Sequence, residues 1–162
     1  MLKQTILAAT AAAATIAAIA AAPQATAQNY NAQPNYATVR LVTGFLPDPR
    51  VIQLRAGGDR PANRIDSRCR GYITSRPDVR LHYRAGDTFP LILSASSRAD
   101  TTLVVNAPDG SWHCNDDGGV GAFNPSIRFG RPQSGRYEIW VGTYNPGPTA
   151  PARLHISELR SR

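Results

Sequence analysis

Beyond residue 27, apolar positions recur at every second residue in short runs, the mark of strands that bury one face. Val79 to Arg84 shows this most cleanly, with Val79, Leu81 and Tyr83 alternating with Arg80, His82 and Arg84. After an Ala85-Gly86-Asp87 turn, Phe89, Leu91, Leu93 and Ala95 repeat the alternation, and Leu103 and Val105 continue the inward set. Trp112 and Cys114 are expected to point inward around His113, as are Ile127 and Phe129 around Arg128. Arg136 to Tyr144 places Tyr137, Ile139 and Val141 on one face and Glu138, Trp140 and Tyr144 on the other. Such a strand is central, or covered on both sides. Ala37 to Val42, Val51 to Arg55, Cys69 to Thr74 and Arg153 to Ser157 complete the set of extended segments.

The connections are rich in Gly, Pro, Asn and Asp, which supply turn conformations and local hydrogen bonds. Phe45-Leu46-Pro47-Asp48-Pro49 interrupts the first strands, since proline has no amide hydrogen to give a ladder. Asn106-Ala107-Pro108-Asp109-Gly110 reads as a tight turn, and Gln133-Ser134-Gly135 as another. No segment after residue 27 holds a helical period over three turns. Eight or nine short strands at this spacing predict an all-β fold, a single antiparallel β-sandwich over residues 37–162.

The N-terminus is of a different kind. Lys3 lies in a short leading segment, Thr5 to Ala22 is an Ala/Ile-rich apolar stretch, Pro23 ends it, and Ala25-Thr26-Ala27 fits a small-x-small cleavage site. Residues 1–27 are therefore expected to be a cleaved signal peptide, and the protein to be exported to the periplasm or the medium. No later apolar stretch approaches membrane-spanning length, so no membrane span is expected after cleavage. Gln28 to Tyr36 is polar and without periodicity, which predicts a flexible leader. Two cysteines, Cys69 and Cys114, remain without metal-ligand spacing; in an exported chain they predict one disulfide.

Charge alters this picture little. The formal net charge is +7, and after Lys3 every fixed cation is an arginine. These arginines are scattered singly, apart from a loose group at Arg60, Arg64, Arg68 and Arg70. Nucleic-acid binding would call for a gathered basic stripe, so nucleic acid is not an expected partner. A protein or a glycan is.

Asp100-Thr-Thr-Leu103, Asn106-Ala-Pro-Asp-Gly110, Asp116-Asp117, Asn124-Pro-Ser and Ser134-Gly-Arg-Tyr-Glu-Ile-Trp-Val141 follow one another in order. Over roughly residues 69–157 this series resembles the bacterial pre-peptidase C-terminal domain. The resemblance implies a jelly-roll-like sandwich of the sort carried by secreted peptidases and also found alone. It implies a binding or stabilising role, in some relatives with bound calcium. Small secreted proteins similar to this one are also described as serine peptidases, which makes a peptidase or peptidase-accessory domain the alternative.

Three chemistries are open. Asp100, Asp109, Asn115, Asp116, Asp117 and Asn124 form the densest group of acids and amides, the oxygen-rich composition that calcium takes. The run 115–118 lacks the alternate spacing of an EF-hand loop, and turns by themselves favour Asp and Asn. A serine hydrolase would need a histidine joined to a nucleophile and a carboxylate. His82, His113 and His155 are each expected to point outward, and the chain has no G-x-S-x-G elbow and no H-E-x-x-H. No catalytic residue is therefore assigned. Trp140 and Tyr144, on the face opposite the core set, are the aromatic candidates for a ligand.

Overall fold

The period-two apolar positions of residues 28–162, the part of the chain that the computed structural model describes, close against one another between two sheets. The expected signal peptide and its cleavage site lie outside the described residues. In chain order the strands are β1 (Ala37–Val42), β2 (Arg50–Ala56), β3 (Arg60–Pro61), β4 (Tyr72–Ile73), β5 (Val79–Arg84) and β6 (Leu91–Ser97). They continue as β7 (Thr101–Asn106), β8 (Trp112–Asn115), β9 (Ser126–Phe129), β10 (Gly135–Thr143) and β11 (Ala150–Ser157). The described residues contain no α-helix, only a 3₁₀ turn at Ala62–Arg64. The architecture is an all-β sandwich.

The larger sheet is built around β10, which is flanked by β5 and β7. β1 extends it beyond β5, β8 beyond β7, and the two-residue β4 and β3 fill its far corner. The smaller sheet runs β2-β11-β6-β9. Pairing is antiparallel except between β1 and β5, which run parallel from Ala37 opposite Val79 to Val42 opposite Arg84. The intervening chain crosses to the smaller sheet as β2 and returns, so β5 enters in the direction of β1. Alternation along a sequence carries no information about that direction.

Leu81, Tyr83, Leu103, Val105, Tyr137, Ile139 and Val141 of the larger sheet meet Leu54, Leu91, Leu93, Leu154 and Ile156 of the smaller one. Apart from Leu54, whose segment was expected only to be extended, these are the predicted inward sets. Phe89 is the exception: it precedes β6 and is 39% exposed.

The opposite face of β10 is buried as well. Trp140 packs with Val104, Ala62, Cys69 and Ile73 in a second apolar cluster, beneath the segment that carries β3 and β4. Gly142 makes this crossing possible, because a Cβ there would fall 2.5 Å from the Tyr72 carbonyl oxygen. Gly58 does the same for the edge of the cover, where a Cβ would meet the backbone of Ile73 at 2.0 Å.

The 28–36 segment, expected as a flexible leader, is tied to the sandwich. Asn29 donates its amide to the Ser75 carbonyl at 3.1 Å, and Arg80 donates to the carbonyls of Tyr30 and Ala32 at 3.1 and 2.8 Å. Asn35 reaches the carboxylate of Asp78 at 2.9 Å, and Asp78 in turn accepts from the Val141 amide at 2.8 Å. Asp78 is fully buried, and burial pushes its carboxyl up to about 6, against the pull of these hydrogen bonds. An aspartate in the unfolded chain titrates near 3.9. The folded state thus holds this proton more tightly, and the stability gained is present below the unfolded value and lost as pH rises through about 6. In Asp78→Asn, the loss of stability between pH 4 and 7 is expected to be smaller than in the native chain. Urea unfolding at three pH values checks this, and equal slopes would show that Asp78 ionises as readily folded as unfolded.

Candidate functional site

The connection from β8 to β9, residues 116–125, is the elaborate loop of the fold. One side chain holds both of its ends: Asn115 Oδ1 accepts from the Gly118 amide at 2.6 Å and the Ser126 amide at 2.8 Å. Asn124 anchors the loop to the smaller sheet by accepting from the Ser97 amide at 3.0 Å, while its own amide donates to the Val120 carbonyl at 3.3 Å. The Phe123 carbonyl accepts from the Thr101 amide at 3.1 Å. Between these anchors Val120 and Phe123 stand 62% and 58% exposed. Phe123 has φ 71°, the sole positive φ of a non-glycine residue among the described residues. A bulky residue in that region is strained.

The six residues predicted for calcium separate into three groups. Asp100, Asp116 and Asp117 lie within electrostatic reach of one another: burial first, then Asp117 and Asp116, push the Asp100 carboxyl up. Asp100 Oδ1 is buried without a hydrogen-bond partner. Asn115 spends its side-chain oxygen on the two ends of the loop, and Asn124 spends its own on the Ser97 amide of β6. Asp109 lies at the other end of the β7–β8 hairpin, where it accepts from the Ser111 amide and hydroxyl. Those two bonds hold the Asp109 carboxyl below its ordinary range. Among the described residues, no three His, Cys, Asp or Glu side chains are gathered into a ready-made metal site.

Cys69 and Cys114 form the predicted disulfide. Its position differs from the expectation. Cys114 pairs with Val104, so both belong to the second cluster on the outer side of the larger sheet, and His113, opposite Val105, is turned toward the sandwich. There His113 meets Phe129 edge-on at 4.9 Å. The alternation within residues 112–114 was correct, but its phase is set by the hairpin register, which Leu103 and Val105 fix from across the strand pair.

The histidines accordingly occupy three surroundings. His82 lies on the outer face of the larger sheet opposite Arg40 and Arg136, and burial followed by those cations and Arg80 lowers its pKa. His113 Nε2 meets Ser111 Oγ at 2.9 Å, but Asp109 bonds the serine and not the imidazole. In a triad the carboxylate orients the histidine. His155 Nε2 meets Ser96 Oγ at 2.9 Å, while its Nδ1 is buried without a partner.

The aromatic candidates are also redistributed. Trp140 is fully buried, and Tyr144 lies just past β10, 40% exposed. Trp112 takes the accessible place instead, half-buried with its ring centroid 5.5 Å from that of Trp140. It lines a cleft of about 290 Å³ with His113, Asn115, Ser126, Asp66 and Arg68, beside the disulfide and next to the loop. Arg68 and Asp66 pair at 2.7 Å on its rim, which holds the Asp66 carboxyl down to about 2. Nothing in the alternation marked Arg68 or Trp112 as neighbours, because the disulfide and not a strand ladder brings them together.

No family model matches the chain, and no curated protein matches it in sequence. The structure is similar to the pre-peptidase C-terminal domain of the collagenase from Bacillus anthracis, with a TM-score of 0.45 and 13% identity over 78% of this chain and 100% of that one. It is also similar to PliG of Aeromonas hydrophila, a periplasmic inhibitor of g-type lysozyme, with a TM-score of 0.36 and 17% identity over 75% of this chain and 97% of the other.

Proposed function

We propose that this chain is an exported, non-catalytic binding module that acts at the cell envelope or in the medium and meets a protein partner with its 116–125 loop. The observation that carries this reading is Phe123, a large apolar side chain held in a strained backbone conformation and turned to solvent at an anchored loop. Strain and exposure of that kind oppose folding and are retained where a surface is used. The Trp112 cleft lies beside the loop and enlarges the contact area. A hydrolytic role is disfavoured by the order of groups at Ser111, and among the described residues no carboxylate is bonded to His155.

Calcium is part of the proposal. Asp100, Asp116 and Asp117 would hold it, and the unpartnered oxygen of Asp100 fits a cation drawn to this spot. The ion would supply charge neutralisation among three carboxylates and fix the start of the loop. Asp109, Asn115 and Asn124 have no part in it.

Thermal unfolding of the oxidised protein tests both statements. Millimolar calcium is expected to raise the midpoint by several degrees over EDTA, at about 4 °C per kcal/mol for a domain of this size. The rise is expected to vanish in Asp116→Ala/Asp117→Ala. Phe123→Gly is expected to be at least as stable as the native chain, by up to about 1 kcal/mol, since glycine tolerates this φ. Coincident curves would remove calcium from the reading; a destabilised Phe123→Gly would make Phe123 structural and remove the binding loop.

A further inference from the structure

The smaller sheet presents a second site, joined to the 116–125 loop where the Ser97 amide donates to Asn124 Oδ1 at 3.0 Å. Its outer face carries Gln53, Ser94, Ser96, Arg128, Arg153 and His155, which alternate with the inward Leu54, Leu93, Ala95, Ile127, Leu154 and Ile156. A groove of about 820 Å³ lies between the turn after β6 and the β2–β11 pair, where outer-face Gln53, Ser96 and Arg153 meet the core-side Leu54 and Ala152. Its charged lining residues are Arg98 and Arg153; Gln53, Ser96 and Ser97 add hydrogen-bonding groups, and Pro151 and neighbouring alanines an apolar floor. No carboxylate lines it, and neither arginine makes a salt bridge among the described residues. Asp100 follows Ala99 in the chain, but it is coupled to Asp116 and Asp117 of the loop. The cationic character continues along the face: after burial, Arg162 and Arg153 are what hold His155 below its ordinary pKa. The C-terminal segment lies there too, with the Arg162 amide donating to Ser94 Oγ at 3.1 Å.

We propose that this groove binds an acidic polysaccharide, with Arg98 and Arg153 taking successive carboxylates and Gln53 and Ser96 the hydroxyls between them. Guanidinium groups match carboxylates in geometry and charge, and a volume of this size accommodates a few sugar rings. The strand arrangement favours a glycan over an extended acidic peptide. β11 is bonded on both sides, to β2 and β6, so the strand that carries Arg153 offers no free backbone for strand addition; the edge of β2 faces away from β11, and there the Tyr36 hydroxyl already meets the Arg55 backbone. A ligand lying across β11 is read by side chains alone.

The probe is an oligogalacturonate of about ten residues, titrated into the purified oxidised protein by calorimetry at low salt. EDTA is present throughout, so that the acidic loop contributes no metal bridge. Binding is expected to weaken at least tenfold in Arg98→Glu/Arg153→Glu and to persist in Arg40→Glu/Arg84→Glu, which changes the net charge equally on the other sheet. It is expected to be lost with the methyl-esterified oligomer and to fall with added salt. Equal weakening in both charge-reversal variants would reduce the effect to net charge and overturn the site. Equal binding of polyglutamate would overturn its selectivity for a glycan, and absence of oligogalacturonate binding would overturn the proposal outright. None of these results depends on Phe123 or on calcium.

Discussion

Replacing Arg80 by alanine is expected to destabilise the fold by about 3–5 kcal/mol, the usual result of stripping one partner from a buried ion pair. Glu138 is 1% exposed at the centre of β10, and Arg80 Nε meets its Oε1 at 2.5 Å. Arg136 reaches the same oxygen at 3.1 Å from a more exposed position, so it cannot by itself replace the partner that covers the carboxylate. Oε2 already lacks a hydrogen bond. Arg80 also holds the Tyr30 and Ala32 carbonyls, and its loss would free the N-terminal segment from the sheet.

The pH dependence of that loss follows from the same carboxylate. Burial already pushes the Glu138 carboxyl up, with Arg80 and then Arg136 opposing it. Without Arg80 it rises further. A carboxyl whose folded pKa is raised contributes stability below its unfolded value and loses it as pH climbs through the folded value. The difference between Arg80→Ala and the native chain is therefore expected to be largest at neutral pH and to shrink in acid. Urea unfolding at pH 4 and pH 7 measures both quantities. A difference under about 1 kcal/mol at pH 7 would place this pair among the weak surface bridges. In Arg80→Met/Glu138→Leu the cost is expected to fall well below that of the single variant, because no buried charge is left unpaired.

Alternation revealed the inward faces of β5, β6, β7, β9, β10 and β11, because each of these strands buries one side against the other sheet. It also marked β10 as covered on both faces, through Glu138 and Trp140. What it missed depends on partners distant in sequence. The parallel entry of β5, the phase of Cys114 and the seating of Arg80 on residues 30–32 are all set across the sheet. The acidic loop was legible as composition, yet Asn115 and Asn124 serve as internal clamps and Asp109 as a turn residue. Turn-forming and metal-binding roles draw on the same side chains, and only geometry separates them. Phe123 carried no sequence signal, since nothing in a Gly-Ala-Phe-Asn run announces a positive φ.

The disulfide has the second large effect. Cys69 and Cys114 are 45 residues apart, and a loop of that length corresponds to about 4 kcal/mol in the chain-entropy account. Its placement adds to this. The cover over Trp140 and Val104 is held by the two-residue β3 and β4, a single β4 register pair with β10, and the Ala62 amide bonded to the Gly71 carbonyl. So little ladder cannot keep a segment folded by itself. Reduction is thus expected to open the 59–74 segment before the sandwich melts, exposing Trp140 and separating it from Trp112. The signs would be a red shift of tryptophan fluorescence in reductant at urea concentrations that leave far-UV dichroism unchanged. Amide exchange in residues 59–74 would be faster in the reduced protein, and that in β5 and β11 nearly unchanged. Cys69→Ala/Cys114→Ala should reproduce the reduced behaviour. If reduced and oxidised chains instead unfold together at one urea midpoint, the second cluster holds its cover without the crosslink. The Trp112 cleft would then be independent of an oxidising compartment. If they separate, the cleft exists only where the disulfide can form, and the binding proposed for it is confined to the protein after export.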